Sequence, residues 1–300
     1  MLVVCALLIA GAAIRRLSLA PAEVPAVLDR LVILLALPGL ILHEVPKLEP
    51  SVSMVVPVAI AWGGLVTLVL CVALVGRIRG YSRNVLGTLL VVVPLGNTSF
   101  LGIPAVTALL GADHVGAAVV YDQLGSFLAL VTWGTFAAAR WGGGEAPSLR
   151  AMARRLATFP PLLALVGAVG LALAPPPIAQ PIDRLAEVLG AMLVPMTMLS
   201  VGMRLRVPRS ARVLEPLVIG LALRLLLVPA LAYGALVLFG EPNRIWHTSV
   251  LESAMPPMVT ASVVAIAAGL DEELAAALVG GGVLLSMATL PLWAWVLVGS

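Results

Sequence analysis

Two short stretches gather most of the polar and helix-breaking residues that interrupt this apolar chain. The first, Val91-Val92-Val93-Pro94-Leu95-Gly96-Asn97-Thr98-Ser99-Phe100-Leu101-Gly102-Ile103-Pro104, sets two prolines, two glycines, an amide and two hydroxyls inside a long apolar run. The second, Glu252-Ser253-Ala254-Met255-Pro256-Pro257, repeats the pattern in the other half of the chain. Proline has no N–H and clashes with the carbonyl four residues back, so a helix should break in both places. The second half of each broken helix then begins near Gly102–Pro104 and near Pro256–Pro257. Each new N-terminus carries unpaired amides and a dipole end equivalent to roughly +0.5 charge. Two of them facing one cavity supply about one positive charge, which suits a carboxylate without any Lys or Arg. Asn97, Thr98, Ser99 and Ser253 add neutral donors, and Thr107 and Thr260 lie one turn further on. The alternative is a pair of kinked helices whose polar side chains bond their own backbone. Paired interruptions at matching positions favour the site.

Three charges sit within apolar runs: Asp122, Arg224 and Glu252. Arg224 lies about 16 Å into its run at 1.5 Å per residue. A charge that deep must face protein or water and find a partner. It is either a substrate or coupling charge, or a structural ion pair or carbonyl clamp that holds the broken segments, with Asp122 or Glu252 as partner. For the two carboxylates a Na⁺ or proton site and a structural pair both remain open. Nothing else resembles chemistry. There is no H-E-x-x-H, no G-x-S-x-G and no P-loop. Cys5 and Cys71 stand apart from each other and from clustered His, which argues against a disulfide or a zinc site. His43, His114 and His247 fall near the ends of runs. No enzyme, cofactor or metal is expected, apart from Na⁺ or H⁺ coupling.

The elements that hold these residues follow from composition. Of 300 residues, 61% are hydrophobic and 11% charged, against about 25% charged in soluble domains. The mean hydropathy is +1.10. A fold with water on every side cannot cover so much hydrocarbon, and the basic patches of a nucleic-acid binder are absent. The chain reads as a polytopic membrane protein whose main partner is the bilayer. Ten apolar stretches run approximately over Met1–Ile14, Val24–Leu42, Met54–Gly76, Val85–Leu110, Val115–Ala139, Leu156–Ala174, Leu185–Met203, Val213–Phe239, Ile245–Leu270 and Leu274–Val298. The opening stretch has its arginines after the apolar run, unlike a secretory signal. At ~21 Å it is short for a core of ~30 Å. Either it extends into Leu17–Leu19, or the protein starts upstream of Met1.

Arginine placement gives the orientation. With alternating spans, one side holds Arg15, Arg16, Arg30, Arg77, Arg79, Arg83, Arg140, Arg150, Arg154, Arg155, Arg204, Arg206, Arg209 and Arg212, while the other keeps Lys47, Arg184 and Arg244. Positive residues stay inside, so this is a cell-membrane protein with both termini outside. Gly142-Gly143-Gly144 and Pro147 mark a cytoplasmic linker over 141–158, between a five-helix repeat at 1–140 and another at 159–300. An odd number of spans per half makes the halves inverted repeats. Pro104-Ala105-Val106-Thr107-Ala108 echoes Pro257-Met258-Val259-Thr260-Ala261. Gly111-Ala112-Asp113 echoes Gly269-Leu270-Asp271, and Leu28-Asp29-Arg30-Leu31 echoes Ile182-Asp183-Arg184-Leu185. The expected fold is all-α: ten transmembrane helices in two inverted five-helix repeats, with broken helices four and nine crossing.

Asn97-Thr98-x-x-x-Gly102-Ile103-Pro104, with the mirrored Met255-Pro256-Pro257, resembles the auxin efflux carrier family, including bacterial malonate-type transporters and plant PIN carriers. Tyr121-Asp122-Gln123-Leu124-Gly125, and Arg224 shortly before Pro229, are similar to that family too. The resemblance implies a ten-helix fold crossing at the prolines and an elevator movement of a transport domain against a scaffold. It implies organic-anion substrates, with Asn97 near the substrate carboxylate. On it the substrate site comprises Asn97, Thr98, Ser99, Gly102, Pro104, Ser253, Pro256, Pro257 and Thr260. The long cytoplasmic loop of plant PIN carriers is absent here, so the resemblance does not extend to phosphoregulation or to auxin itself. A sodium-coupled symporter of the bile-acid type, and a channel or sensor of the same fold, are the alternatives. A homodimer is compatible with all three.

Overall fold

The computed structural model describes every residue except 1, 22, 49–50, 144–147, 205–209, 240–241 and 300. Met1, the linker residues 144–147 and the orienting Arg206 and Arg209 therefore lie outside the described residues. The described chain is almost wholly helical. In order it forms α1 (Leu2–Arg16), α2 (Val24–Lys47), α3 (Val52–Arg79), α4 (Arg83–Val92), α5 (Thr98–Leu109), α6 (Ala112–Gly142), α7 (Leu149–Ala157), α8 (Pro160–Ala172), α9 (Pro176–Arg204), α10 (Leu214–Phe239), α11 (Arg244–Ser253), α12 (Val259–Ala267) and α13 (Glu272–Gly299).

Among the described residues, six helices are long and apolar enough to cross a membrane: α2, α3, α6, α9, α10 and α13. The pair α7 and α8, bent by 56°, makes a seventh. The sequence predicts ten, and each difference has a local cause. The fourth and ninth stretches are cut, into α4 and α5 and into α11 and α12, where prolines withhold backbone donors. α1 has 15 residues, about 22 Å of helix. The segment read as a linker carries α7, whose N-cap Ser148 accepts from the Ala151 N–H at 3.2 Å. The bend after α7 falls at Phe159, just before Pro160, where the preceding residue is pushed out of helical geometry.

Burial follows hydrocarbon rather than water. Val66, Leu70 and Leu74 of α3, Val166 and Val169 of α8, and Leu185 and Val188 of α9 are each more than half exposed. Facing water, so much apolar surface would mark an interface or an aggregation site; facing lipid, it is the solvated face. α4 and α11 are instead buried along most of their length. Two apolar clusters sandwich the centre. One holds Leu101, Ile103, Val106, Leu251 and Met255, and the other Leu89–Val93, Leu217, Leu221 and Leu278.

α2 and α9 pack antiparallel, the start of each against the end of the other. They exchange polar contacts at both ends. Ser200 and Arg204 of α9 donate to Asp29 of α2, and His43 of α2 is hydrogen-bonded to Asp183 of α9 at 2.7 Å. α1 lies along the second half of α9, where Gly11 and Gly202 meet. A Cβ on either would collide with the facing backbone, at the Leu199 carbonyl or the Leu8 carbonyl. Small residues of this kind let helices approach closely in a solvent that offers no hydrophobic drive between them. Gly202→Ala should cost about 1–3 kcal/mol through overpacking and lower the melting temperature of the detergent-purified protein by several degrees. Gly170→Ala, which faces open space, should leave it unchanged or slightly raised, as read by tryptophan fluorescence.

Candidate functional site

Two prolines of the central region each leave a carbonyl without its helical donor, and both carbonyls have found other partners. Pro94 cannot serve the Leu90 carbonyl, which accepts from Trp133 Nε1 at 2.8 Å. Pro229 cannot serve the Leu225 carbonyl, which accepts from Trp293 Nε1 at 3.0 Å. Around these gaps the helices widen into π turns at Thr98–Gly102, Tyr121–Phe127 and Leu223–Leu227. Such bulges re-aim side chains and occur often at functional sites. Asp122 and Arg224 stand on two of them, and Asn97 is the N-cap of the third.

The two unwound segments cross and pair. Gly96 and Pro257 form an antiparallel β-bridge, in which the Asn97 N–H donates to the Pro256 carbonyl and the Met258 N–H to the Leu95 carbonyl, each at 2.8 Å. Arg224, 3% exposed, lies against this bridge. Its Nε donates to the Met255 carbonyl at 2.7 Å and its Nη1 to the Pro94 carbonyl at 3.2 Å. Those carbonyls follow the ends of α11 and α4, so one cation meets two negative dipole ends. Gly96 is required there by close approach: a Cβ would fall inside the guanidinium.

A cavity of about 100 Å³ borders the crossing. It is lined by Asn97 and Phe100, by Met258, Val259 and Thr260, by Asp29 and Ile33 of α2, and by Ser200, Val201 and Arg204 of α9. The starts of α5 and α12 thus both reach it. Asn97 is 2% exposed, and its Nδ2 has no hydrogen-bond partner. A second cavity of about 310 Å³, lined by Arg15, Arg204, Val259 and Glu272 among others, shares Arg204 and Val259 with the first. A further depression of about 560 Å³ near Lys47, Asp113 and Arg244 shares no lining residue with either.

Comparison with known proteins decides the family. Residues 1–294 match the family described as membrane transport protein. The chain belongs to this family. It is the family of the auxin efflux carriers that the crossover motifs resemble. An uncharacterized transporter of Methanothermobacter thermautotrophicus is 31% identical over 304 residues, covering 98% of this chain and 96% of the relative. An uncharacterized transporter of Methanocaldococcus jannaschii is 26% identical over 283 residues, 90% and 89% of the two chains.

In the transporter, the site residues read from the sequence fall into three groups. Asn97 and Thr260 line the cavity. Pro256 and Pro257 build the bridge, while Gly102 and Pro104 start α5's regular turns beneath it. Thr98, Ser99 and Ser253 are engaged elsewhere. Thr98 and Ser99 both donate to Asp122 Oδ1 at 2.5 Å, Gln123 donates to Oδ2 at 2.7 Å, and Ser253 donates to the Val250 carbonyl. Asp122 is therefore a structural acceptor that ties the start of α5 to α6. Neither Asp122 nor Glu252 is hydrogen-bonded to Arg224, whose partners are the two carbonyls above. The pairing expected from charge is absent because the fold sets the guanidinium against the two carbonyls, while Asp122 is taken up by Thr98, Ser99 and Gln123 and Glu252 packs against Gly102. Glu252 is fully buried against Gly102, with both carboxylate oxygens lacking a hydrogen-bond partner. Asp29, Ser200 and Arg204 were not expected at the site. The echo of Asp29 in Asp183 was the signal that could have found the first, whereas Arg204 looked like one more cytoplasmic charge.

Removing the clamp leaves two buried carbonyls orphaned, at about 1–3 kcal/mol each. Arg224→Met should therefore sharply lower the folded yield on fluorescence-detected size exclusion. Adding Asp122→Ala or Glu252→Ala should not recover it, because neither carboxylate is the partner. Gly96→Ala should reproduce the loss by displacing the guanidinium.

Proposed function

We propose that this chain is a secondary transporter carrying a small organic anion, a carboxylate such as malonate or an auxin-like acid, across the cell membrane. The carboxylate binds where the broken helices cross. The observation that carries this reading is Asn97, whose buried amide lacks an acceptor and lines a cavity onto which the starts of α5 and α12 open. Two helix dipole ends and a neutral N–H donor at the crossing favour an anion there.

The reading needs ten crossings, in which α4 with α5, α7 with α8 and α11 with α12 each count as one. Five crossings in each half make the halves inverted repeats, 1–140 and 159–300, with α7 of the linker leading into the first crossing of the second. Three reciprocities support that arrangement: the symmetric bonds of the β-bridge, the exchanged carboxylate contacts of α2 and α9, and the matching breaks of the fourth and ninth spans. The crossover would move as a unit against α2 and α9, as the elevator movement of the family implies. The cavity that meets Arg15 and Arg204 opens toward the arginine-rich side, which the positive-inside rule makes cytoplasmic. Sodium coupling of the bile-acid type is the second reading, and Glu252 with its two free oxygens is what favours it.

In proteoliposomes loaded with malonate, labelled malonate should enter by saturable counterflow; a channel or sensor would show none. Asn97→Ala should keep the fold and lose at least tenfold in uptake, and Asn97→Asp more, since it sets a negative charge against the anion. Undiminished uptake by Asn97→Asp removes the site from the crossover. Repeating the assay with choline in place of Na⁺ separates the two couplings. In a background lacking Cys5 and Cys71, Ser51→Cys should react with an impermeant thiol reagent in intact cells and Ser210→Cys should not. The reverse pattern would overturn the orientation.

A further inference from the structure

The cavity has a charged end that the carboxylate reading leaves unused. Arg204 closes α9 and Asp29 lies in the first turns of α2. Arg204 Nη2 donates to Asp29 Oδ2 at 2.5 Å, and Ser200 Oγ donates to Asp29 Oδ1. Arg204 Nε is buried and has no acceptor. Nε and Nη2 lie on one edge of the guanidinium, the edge that holds a carboxylate with two parallel hydrogen bonds. Asp29 therefore occupies half of a fork built for two bonds.

Position makes this half-filled fork significant. Arg204 and Val259 line both the crossover cavity and the 310 Å³ space beyond it. The guanidinium therefore stands at the boundary between the wider space and the cavity that Asn97 lines. The pair is not sealed off, since its side chains are 28% and 24% exposed. Asp29 and Arg204 are the charged side chains among the residues lining the crossover cavity. Away from that pair, the donors the described residues offer the cavity are neutral: the unpartnered amide of Asn97, the Thr260 hydroxyl and the helix starts.

We propose that the Asp29–Arg204 pair is an exchangeable latch, and that Arg204 selects small acids with two anionic ends. One end takes the Nε/Nη2 edge from Asp29, while the other reaches Asn97 and the crossing helix starts. Ser200 keeps Asp29 in place while its cation is engaged elsewhere. The inference rests on the carboxylate reading above and adds to it the position of the second charge.

Malonate and propionate, alike in carbon number and different in charge, serve as probes in titration calorimetry on the full chain in detergent. The wild type should bind malonate at least tenfold more tightly than propionate. Arg204→Gln should lose at least tenfold for malonate and no more than threefold for propionate. Arg204→Lys, which keeps the charge but not the fork, should fall between. Asp29→Asn removes the competitor and should tighten malonate binding severalfold. Since Arg204→Gln strands Asp29, the Asp29→Asn/Arg204→Gln double variant is decisive. If it regains the malonate preference, Arg204 serves only to hold Asp29 and the latch is overturned. Equal affinity of the wild type for both acids, with Asn97→Ala weakening both, overturns the latch and leaves the carboxylate site standing. Binding of neither acid by the wild type overturns the site and the latch together.

Discussion

A helix broken at the middle of a bilayer leaves chain ends where water cannot reach them, and every unpaired backbone group there costs several kcal/mol. Here the ends come in two pairs of opposite sign. Those of α4 and α11 are negative and meet a single buried guanidinium. Those of α5 and α12 are positive and border a cavity. The asymmetry is plain: the protein supplies a countercharge for one pair through Arg224, while the other pair borders the cavity. The π turn in α10, the missing Cβ at Gly96 and the β-bridge all serve to bring one arginine to two carbonyls.

That arrangement also assigns the nearby carboxylates. Asp122 accepts three hydrogen bonds from Thr98, Ser99 and Gln123, so the positive start of α5 is fixed to α6 by an acid that is already satisfied. Glu252 lies one turn before the break in the opposite segment, and its oxygens are unpartnered. Two acids that look equivalent in the sequence thus differ sharply in what remains for them to bind. Burial alone does not separate them, since both are fully enclosed; their local donors do.

Much of this was legible in the residues. Proline chemistry marked both breaks, and hydropathy marked the lipid-facing helices, because each depends on neighbours in the chain. The carbonyl clamp was legible as one of three alternatives, beside a substrate or coupling charge and an ion pair with Asp122 or Glu252, since a midplane arginine must find partners whose identity only the fold decides. The roles of Thr98 and Ser99 were not legible. Hydroxyls beside a helix start can face a ligand or a carboxylate on another helix, and the choice turns on where Asp122 lands. Arg204 was hidden for another reason. Charge counting treats a terminal arginine as an orientation signal, and nothing local distinguishes it from Arg15 or Arg212. Its contact with Asp29 spans 175 residues of chain.

The two indole hydrogen bonds carry a consequence for descent. Trp133 is 43 residues from Leu90, and Trp293 is 68 from Leu225, yet each fills a vacancy made by a proline four residues further on. A lineage that replaced Pro94 or Pro229 with an N–H-bearing residue would return the carbonyl to its own helix and strand the indole. One that replaced the tryptophan would strand the carbonyl in hydrocarbon. Proline and tryptophan are therefore bound to change together, as heritable pairs joined through an atom that belongs to neither.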